Sequence, residues 1–169
     1  MVLDEGAEVV GHGAILPPQG GQANPSLLVL LRLGLWKMPF VVGWGACARF
    51  LALLDVIAAI EHEVTSADAD LNSGNYYTIE AYCVAVDRHG RGLGARMLPP
   101  LLARADAARR PAFLLTQLAG NVRFYARHGF AVIDERDAEL KGAPFHCWAM
   151  KRLPAAAAAA AAVLSAAVS

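Results

Sequence analysis

Residues 76–110 read YYTIEAYCVAVDRHGRGLGARMLPPLLARADAARR, and the order of residue types in this stretch decides the class of fold. Its first eleven residues are rich in β-branched and aromatic side chains, which suit a pleated, half-buried strand. A glycine-rich turn follows, His89-Gly90-Arg91-Gly92-Leu93-Gly94, and then a helical pattern. A strand that feeds a helix through such a turn belongs to an α/β or α+β domain. Pro99 and Pro100 remove two backbone donors from that helix and predict a kink or a shortening of its regular part.

Working outward, PAFLLTQ (111–117) reads as a second strand, and NVRFYARHG (121–129) as a short helix that ends at Gly129. FAVIDE and FHCWAMKR are closing strands, joined by the polar loop RDAELKGAP from Arg136 to Pro144. Upstream, AEVVGHGAIL (7–16) reads as a strand paired in a hairpin with residues 1–4. PPQGGQANPS is a loop with Asn24 as N-cap and Pro25 at the first helical position. Helices are expected over 26–38 and 43–63, separated by Pro39, the second with Phe50, Leu53, Leu54, Ile57 and Ile60 on one apolar face. The chain is thus expected to form one α/β (α+β) domain over 1–153, with the Ala-rich, low-complexity stretch 154–169 as a tail.

Composition narrows the function. Of 169 residues, 56% are hydrophobic and 18% charged, ample material for a core. Lys+Arg and Asp+Glu are equal at 15 each, so no basic field draws nucleic acid. Cys47, Cys83 and Cys147 are odd in number and far apart, which excludes a disulfide framework or a CxxC knuckle and fits a reducing, cytoplasmic setting. The apolar block 27–60 is broken by Arg32, Lys37, Arg49, Asp55 and Pro39, so stable membrane insertion is not expected. The N-terminus carries acidic residues where a signal peptide carries basic ones.

The glycine turn suits an anion, because its freed N–H groups at a helix start can point at a phosphate and Arg91 adds charge. Taken alone it is equally a plain β–α connection. No Gly-Lys-Ser/Thr follows, so it is not a Walker loop, and the flanking pattern fits the dinucleotide fingerprint poorly. The second motif is Asn121-Val122-Arg123-Phe124-Tyr125-Ala126-Arg127-His128-Gly129-Phe130.

With both motifs, the chain resembles the GCN5-related N-acetyltransferase (GNAT) superfamily. That family carries a [Q/R]-x-x-G-x-[G/A] pyrophosphate loop, here His89-x-x-Gly92-x-Gly94, and an N-x-x-F-Y-x-x-x-G-F segment, here complete. The likeness covers residues 77–152, the expected cofactor-binding core, including Trp148-Ala149-Met150. His89 stands where Gln or Arg is usual, and Val86 where Pro is frequent. The likeness begins at the hairpin, without the family's first strand and two helices, so 24–63 is expected as a helical insert between the third and fourth family strands.

The resemblance implies a mixed sheet flanked by helices, acetyl-CoA as co-substrate, no metal, and direct attack of a primary amine in a ternary complex. It implies cofactor contacts from Val84, His89, Gly90, Arg91, Gly92, Leu93, Gly94, Ala95, Asn121 and Tyr125. Tyr125 matches the residue that protonates the leaving thiolate in several members, and Glu80 lies on the strand that often carries a catalytic glutamate. Asn121 would hold the pantetheine arm or cap its own helix. Strand alternation places Glu80, Tyr82 and Val84 on one face and Ile79, Ala81 and Cys83 on the other, with Cys83 as a core filler. Tyr76, Tyr77 and the loop 136–144 are expected to border the acceptor entrance. His12, His62, His128 and His146 lack metal-ligand spacing. The expected acceptor is a small-molecule amine. A protein or peptide acceptor, and a catalytically weak CoA-binding module, are the alternatives, and a homodimer is left open.

Overall fold

The computed structural model describes residues 2–5, 8–18 and 35–155. The expected N-cap at Asn24, most of the helix 26–38 and the Ala-rich tail lie outside the described residues. In chain order the elements are β1 (Val2–Glu5), β2 (Glu8–Leu16), α1 (Met38–Val42), α2 (Trp44–Ala67), β3 (Tyr77–Val84), α3 (Leu93–Ala107), β4 (Ala112–Thr116), α4 (Ala119–Ala126), β5 (Ala131–Leu140) and β6 (Ala143–Arg152). The strands form one six-stranded sheet in the order β1-β2-β3-β4-β6-β5. Only the β3–β4 pair is parallel, as a strand–helix–strand crossover through α3 requires. The result is a mixed sheet with helices on both faces.

Adjacent residues of β4 show how the two faces divide. Ala112 and Leu114 join a buried cluster with Leu98, Leu101, Leu102 and Ala105 of α3. Phe113, between them, joins a second cluster with Ile60 and Val64 of α2, Tyr76 and Cys147. Each of these larger side chains, fully buried, contributes roughly 1.5–3 kcal/mol of transfer free energy. At the sheet's end, Arg152 of β6 donates from Nη1 and Nη2 to the Asp106 carboxylate of α3, at 2.8 and 3.0 Å.

Several local expectations are corrected. Pro39 does not separate two helices; it starts α1, where a missing N–H costs nothing, and the break falls at Gly43, whose φ is +87°. On α2, Phe50 is exposed, Leu53, Leu54 and Ile57 line a cavity, and Ile60 is buried in the core. The prolines do not shorten α3, which runs through Pro99 and Pro100 to Ala107. Both prolines are exposed, as are Ala95 and Arg96, whose carbonyls lose their partners, so water can satisfy them. The stretch 136–144 is not a loop. β5 and β6 continue to Leu140 and Ala143, joined by Lys141 and Gly142 at φ +50° and +84°, the tight hairpin turn that matches strand twist.

Candidate functional site

β3 carries a bulge, and the bulge builds the site. Its ladder with β2 pairs Cys83 with His12 and Glu80 with Ala14, so two residues, Ala81 and Tyr82, stand opposite Gly13 alone. Ala81 takes φ +49°, which resets the alternation. Ile79 and Tyr82 therefore both pack against the α3 cluster, although simple alternation separates them. The expected shared face of Glu80 and Tyr82 is corrected accordingly. Cys83 is corrected too: it is exposed and lines a groove rather than filling the core. Gly13 makes room for this arrangement, since a Cβ there would lie 2.8 Å from Cδ2 of Tyr82.

The parallel ladder between β3 and β4 covers only the pairs Tyr77–Ala112 and Thr78–Phe113. Beyond it, β3 stays with β2 and β4 with β6, and the strands part at their C-terminal ends. Two concavities open at that split. One, of about 740 Å³, runs along the end of β3, the glycine turn and the start of α3. The other, of about 700 Å³, lies between α2, β3 and the tip of the β5–β6 hairpin. Tyr82, Asn121 and Tyr125 line both.

The first groove collects Val84, His89, Gly90, Gly92, Leu93, Gly94, Ala95, Asn121 and Tyr125, nine of the ten expected cofactor residues. Arg91 is exposed and is not among the lining residues, which instead include Arg127 and Arg88, the latter ion-paired with Glu8 and Asp87 at 3.1 and 3.2 Å. Gly92 caps α3 at φ +72°, a left-handed conformation, and the first turn of the helix, Leu93 to Ala95, lines the groove. Nothing lies within 4 Å of a Cβ built at Gly90 or Gly92, so a diphosphate can approach the backbone there. The His89 side chain turns back, its Nε2 3.0 Å from the Val84 carbonyl.

The second cavity has apolar walls from Leu53, Leu54, Ile57, Leu115 and Phe145. Its charged lining residues are Glu61 and Glu80. Partial desolvation raises the Glu80 carboxyl above the usual range. Glu61 is raised by burial and then by the negative charge of Glu80, against a lowering hydrogen bond from the Tyr76 hydroxyl at 3.4 Å. The sequence reading missed Glu61, which is 19 positions from Glu80 and on a different element; its place on α2 one residue after Ile60 is the only available signal.

Asn121 and Tyr125 lie four residues apart on α4 and so share a face. Asn121 does not cap its helix. Leu118 holds the cap position, and the Asn121 Nδ2 donates to Oγ1 of Thr116 at 3.0 Å, which ties α4 to the end of β4. Tyr125 is buried among Phe124, Tyr82 and Phe130, with ring centroids 5.1, 6.2 and 5.7 Å away. Burial pushes its phenol up to about 12. Tyr76 and Tyr77 do not border either opening: Tyr76 is buried edge-on to Phe113 at 5.8 Å and Tyr77 packs against the core. The other expected border is half met, since Leu140, Ala143 and Pro144 at the hairpin tip do line the second cavity. Among the described residues, no group of three His, Cys, Asp or Glu could hold a metal ion, and no helix is long and apolar enough to cross a membrane.

Residues 56–152, more than half of the chain, match the family described as an acetyltransferase (GNAT) domain, and the protein belongs to that family. Similar solved structures include Arabidopsis thaliana NAA60 in complex with a bisubstrate analogue, 14% identical with a TM-score of 0.45, covering 54% of this chain and 59% of that one. The ribosomal-protein-S18-alanine N-acetyltransferase of Escherichia coli is 18% identical, with a TM-score of 0.41 and coverage of 46% and 54%. Nourseothricin acetyltransferase is 19% identical, with a TM-score of 0.40 and coverage of 46% and 49%. The chain thus spans about half the length of these structures.

Proposed function

We propose that this protein is an acetyl-CoA-dependent N-acetyltransferase acting on the primary amine of a small molecule, within a domain running over 1–153. The observation that carries the reading is the opposite charge of two adjoining cavities. Among the described residues, the groove at the glycine turn is lined by Arg127 and by Arg88, which also pairs with Glu8 and Asp87, and by no acid; the cavity beside it is lined by Glu61 and Glu80 and by no base. An anionic nucleotide carrier suits the first and an ammonium the second, and they meet at Tyr82, Asn121 and Tyr125.

When bound, acetyl-CoA supplies an acetyl group activated as a thioester. The N–H groups around Gly92 and Gly94 would hold its diphosphate, and Arg127 would offset part of the charge. Glu80 takes the proton from the acceptor ammonium, and the partial burial that raises its carboxyl strengthens it as a base. Tyr125 stays protonated throughout that range and holds its hydroxyl proton ready for the departing sulfur. Tyr82 lines both cavities and Phe124 the first, and positioning of the two substrates there supplies much of the rate.

Calorimetry with acetyl-CoA followed by a thiol-release assay over a panel of amines tests the reading. Binding together with turnover on at least one amine supports it. Binding without turnover favours a CoA-binding module, and no binding refutes both.

A further inference from the structure

The cavity between α2 and the hairpin tip is more specific than a general amine site. Among the described residues its lining includes no Lys, Arg or His, so a carboxylate or phosphate on the acceptor would meet Glu61 and Glu80 with no cation there to offset it. Its walls are aliphatic and aromatic, from Leu53, Leu54, Ile57 and Phe145. Its volume of about 700 Å³ suits a compact ligand rather than a folded chain. Glu61 comes from α2 and Glu80 from the residue before the bulge, so the two acids reach the cavity from different elements. With Glu80 assigned to proton removal, Glu61 is the remaining negative charge and has Tyr76 as its hydrogen-bond donor.

We infer that this cavity selects an acceptor that is a primary ammonium on an apolar body with no carboxylate, and that Glu61 is the residue that recognises its charge. The inference rests on the acetyltransferase reading for its relevance, but it concerns binding alone and can fail separately. Amino acids and acidic metabolites are disfavoured, and compact alkyl or arylalkyl amines are favoured. Besides Tyr76 and Glu80, which face Glu61, the titratable groups in the cavity are Tyr82 and Tyr125, both neutral near pH 7.

Three probes with a common body and different charge test it: phenethylammonium, 2-phenylethanol and 3-phenylpropanoate, titrated into the full chain without acetyl-CoA at pH 7.5. The cation is expected to bind at least tenfold more tightly than the alcohol, and the anion more weakly than either. Glu61→Gln should cut the cation's advantage fivefold or more while leaving the alcohol's affinity unchanged. In the wild-type protein the advantage should shrink as pH falls and the carboxyls take up protons, a readout that needs no variant. Equal affinity for cation and alcohol, tighter binding of the anion, no binding of any probe, or an unchanged preference in Glu61→Gln would each overturn the inference. A charge preference that survives in a protein unable to bind acetyl-CoA would refute the transferase reading and leave this one standing.

Discussion

Replacing Gly13 with Ala should disturb the bulge of β3 from the neighbouring strand. The added Cβ would lie 2.8 Å from Cδ2 and 3.0 Å from Cε2 of Tyr82, and 3.0 Å from Cδ1 of Leu101. Leu101 is buried in the α3 cluster and cannot retreat. The Tyr82 ring is packed against Phe124 and Tyr125, with centroids 6.1 and 6.2 Å away, and its hydroxyl donates to the Gly94 carbonyl. A methyl forced into such a site costs about 1–3 kcal/mol. For a chain of this length each kcal/mol lowers Tm by about 2–4 °C, so a fall of roughly 2–12 °C is expected in a thermal melt. Because Tyr82 lines both cavities, acetyl-CoA affinity should fall as well. The same substitution in a Tyr82→Ala background should cost less by about 1 kcal/mol, since most of the clashing atoms are gone. A melt shifted by less than about 1 °C, or strictly additive effects in the cycle, would falsify the steric account.

Three further outcomes are expected. Gly92→Val places a β-branched residue at φ +72°, and acetyl-CoA should bind at least about tenfold more weakly by calorimetry, equivalent to roughly 1.4 kcal/mol; unchanged affinity in a folded variant would remove the turn from the site. Tyr125→Phe keeps the packed ring and loses only the proton, so kcat should drop by about 100-fold with little change in acetyl-CoA affinity; equal losses in both would assign the residue to packing. The Arg152 guanidinium holds the Asp106 carboxyl below the usual range, so its stabilisation is complete above the ordinary Asp pKa of about 3.9 and is lost as pH falls through the depressed value. Asp106→Asn should cost about 1 kcal/mol in urea denaturation near neutral pH and flatten that acid dependence; identical acid curves for both proteins would show the pair to be inert.

The parts of the fold legible in the sequence were those with local causes. Gly90 and Gly92 marked a strand-to-helix turn because few residues accept that backbone, and Gly129 marked the end of α4 for the same reason. The strands 77–84 and 112–116 were visible through their β-branched and aromatic content, and their parallel pairing followed from the intervening helix. The bulge was not legible. Ala81 has no intrinsic preference for positive φ; it adopts that conformation because Gly13 on another strand leaves space for Tyr82. The assignments of Tyr82 and Cys83 to faces failed together for this one reason. Glu61 escaped notice because its partnership with Glu80 exists only after α2 has packed on the sheet. The loop expected over 136–144 looked irregular because charged residues occupy it, yet they have partners in the fold: Asp137 lies 2.7 Å from His146 across the strands, and Arg136 pairs with Asp134 and with Glu63 of α2 at 2.6 and 2.8 Å.

The two-residue turn at Lys141 and Gly142 makes the β5–β6 hairpin an adjustable wall for the second cavity. Leu140 and Ala143, the last cross-strand pair before the turn, border the opening. Lengthening both arms by two residues would keep every side chain on its face and raise the rim by roughly 7 Å, at about 3.4 Å per residue. Lengthening by one would swap inward and outward side chains beyond the insertion and present the wrong set to the ligand. Changes in hairpin length that reshape the pocket while sparing the sheet should therefore come in even steps, so that relatives and engineered variants alter acceptor size by discrete increments rather than by gradual drift.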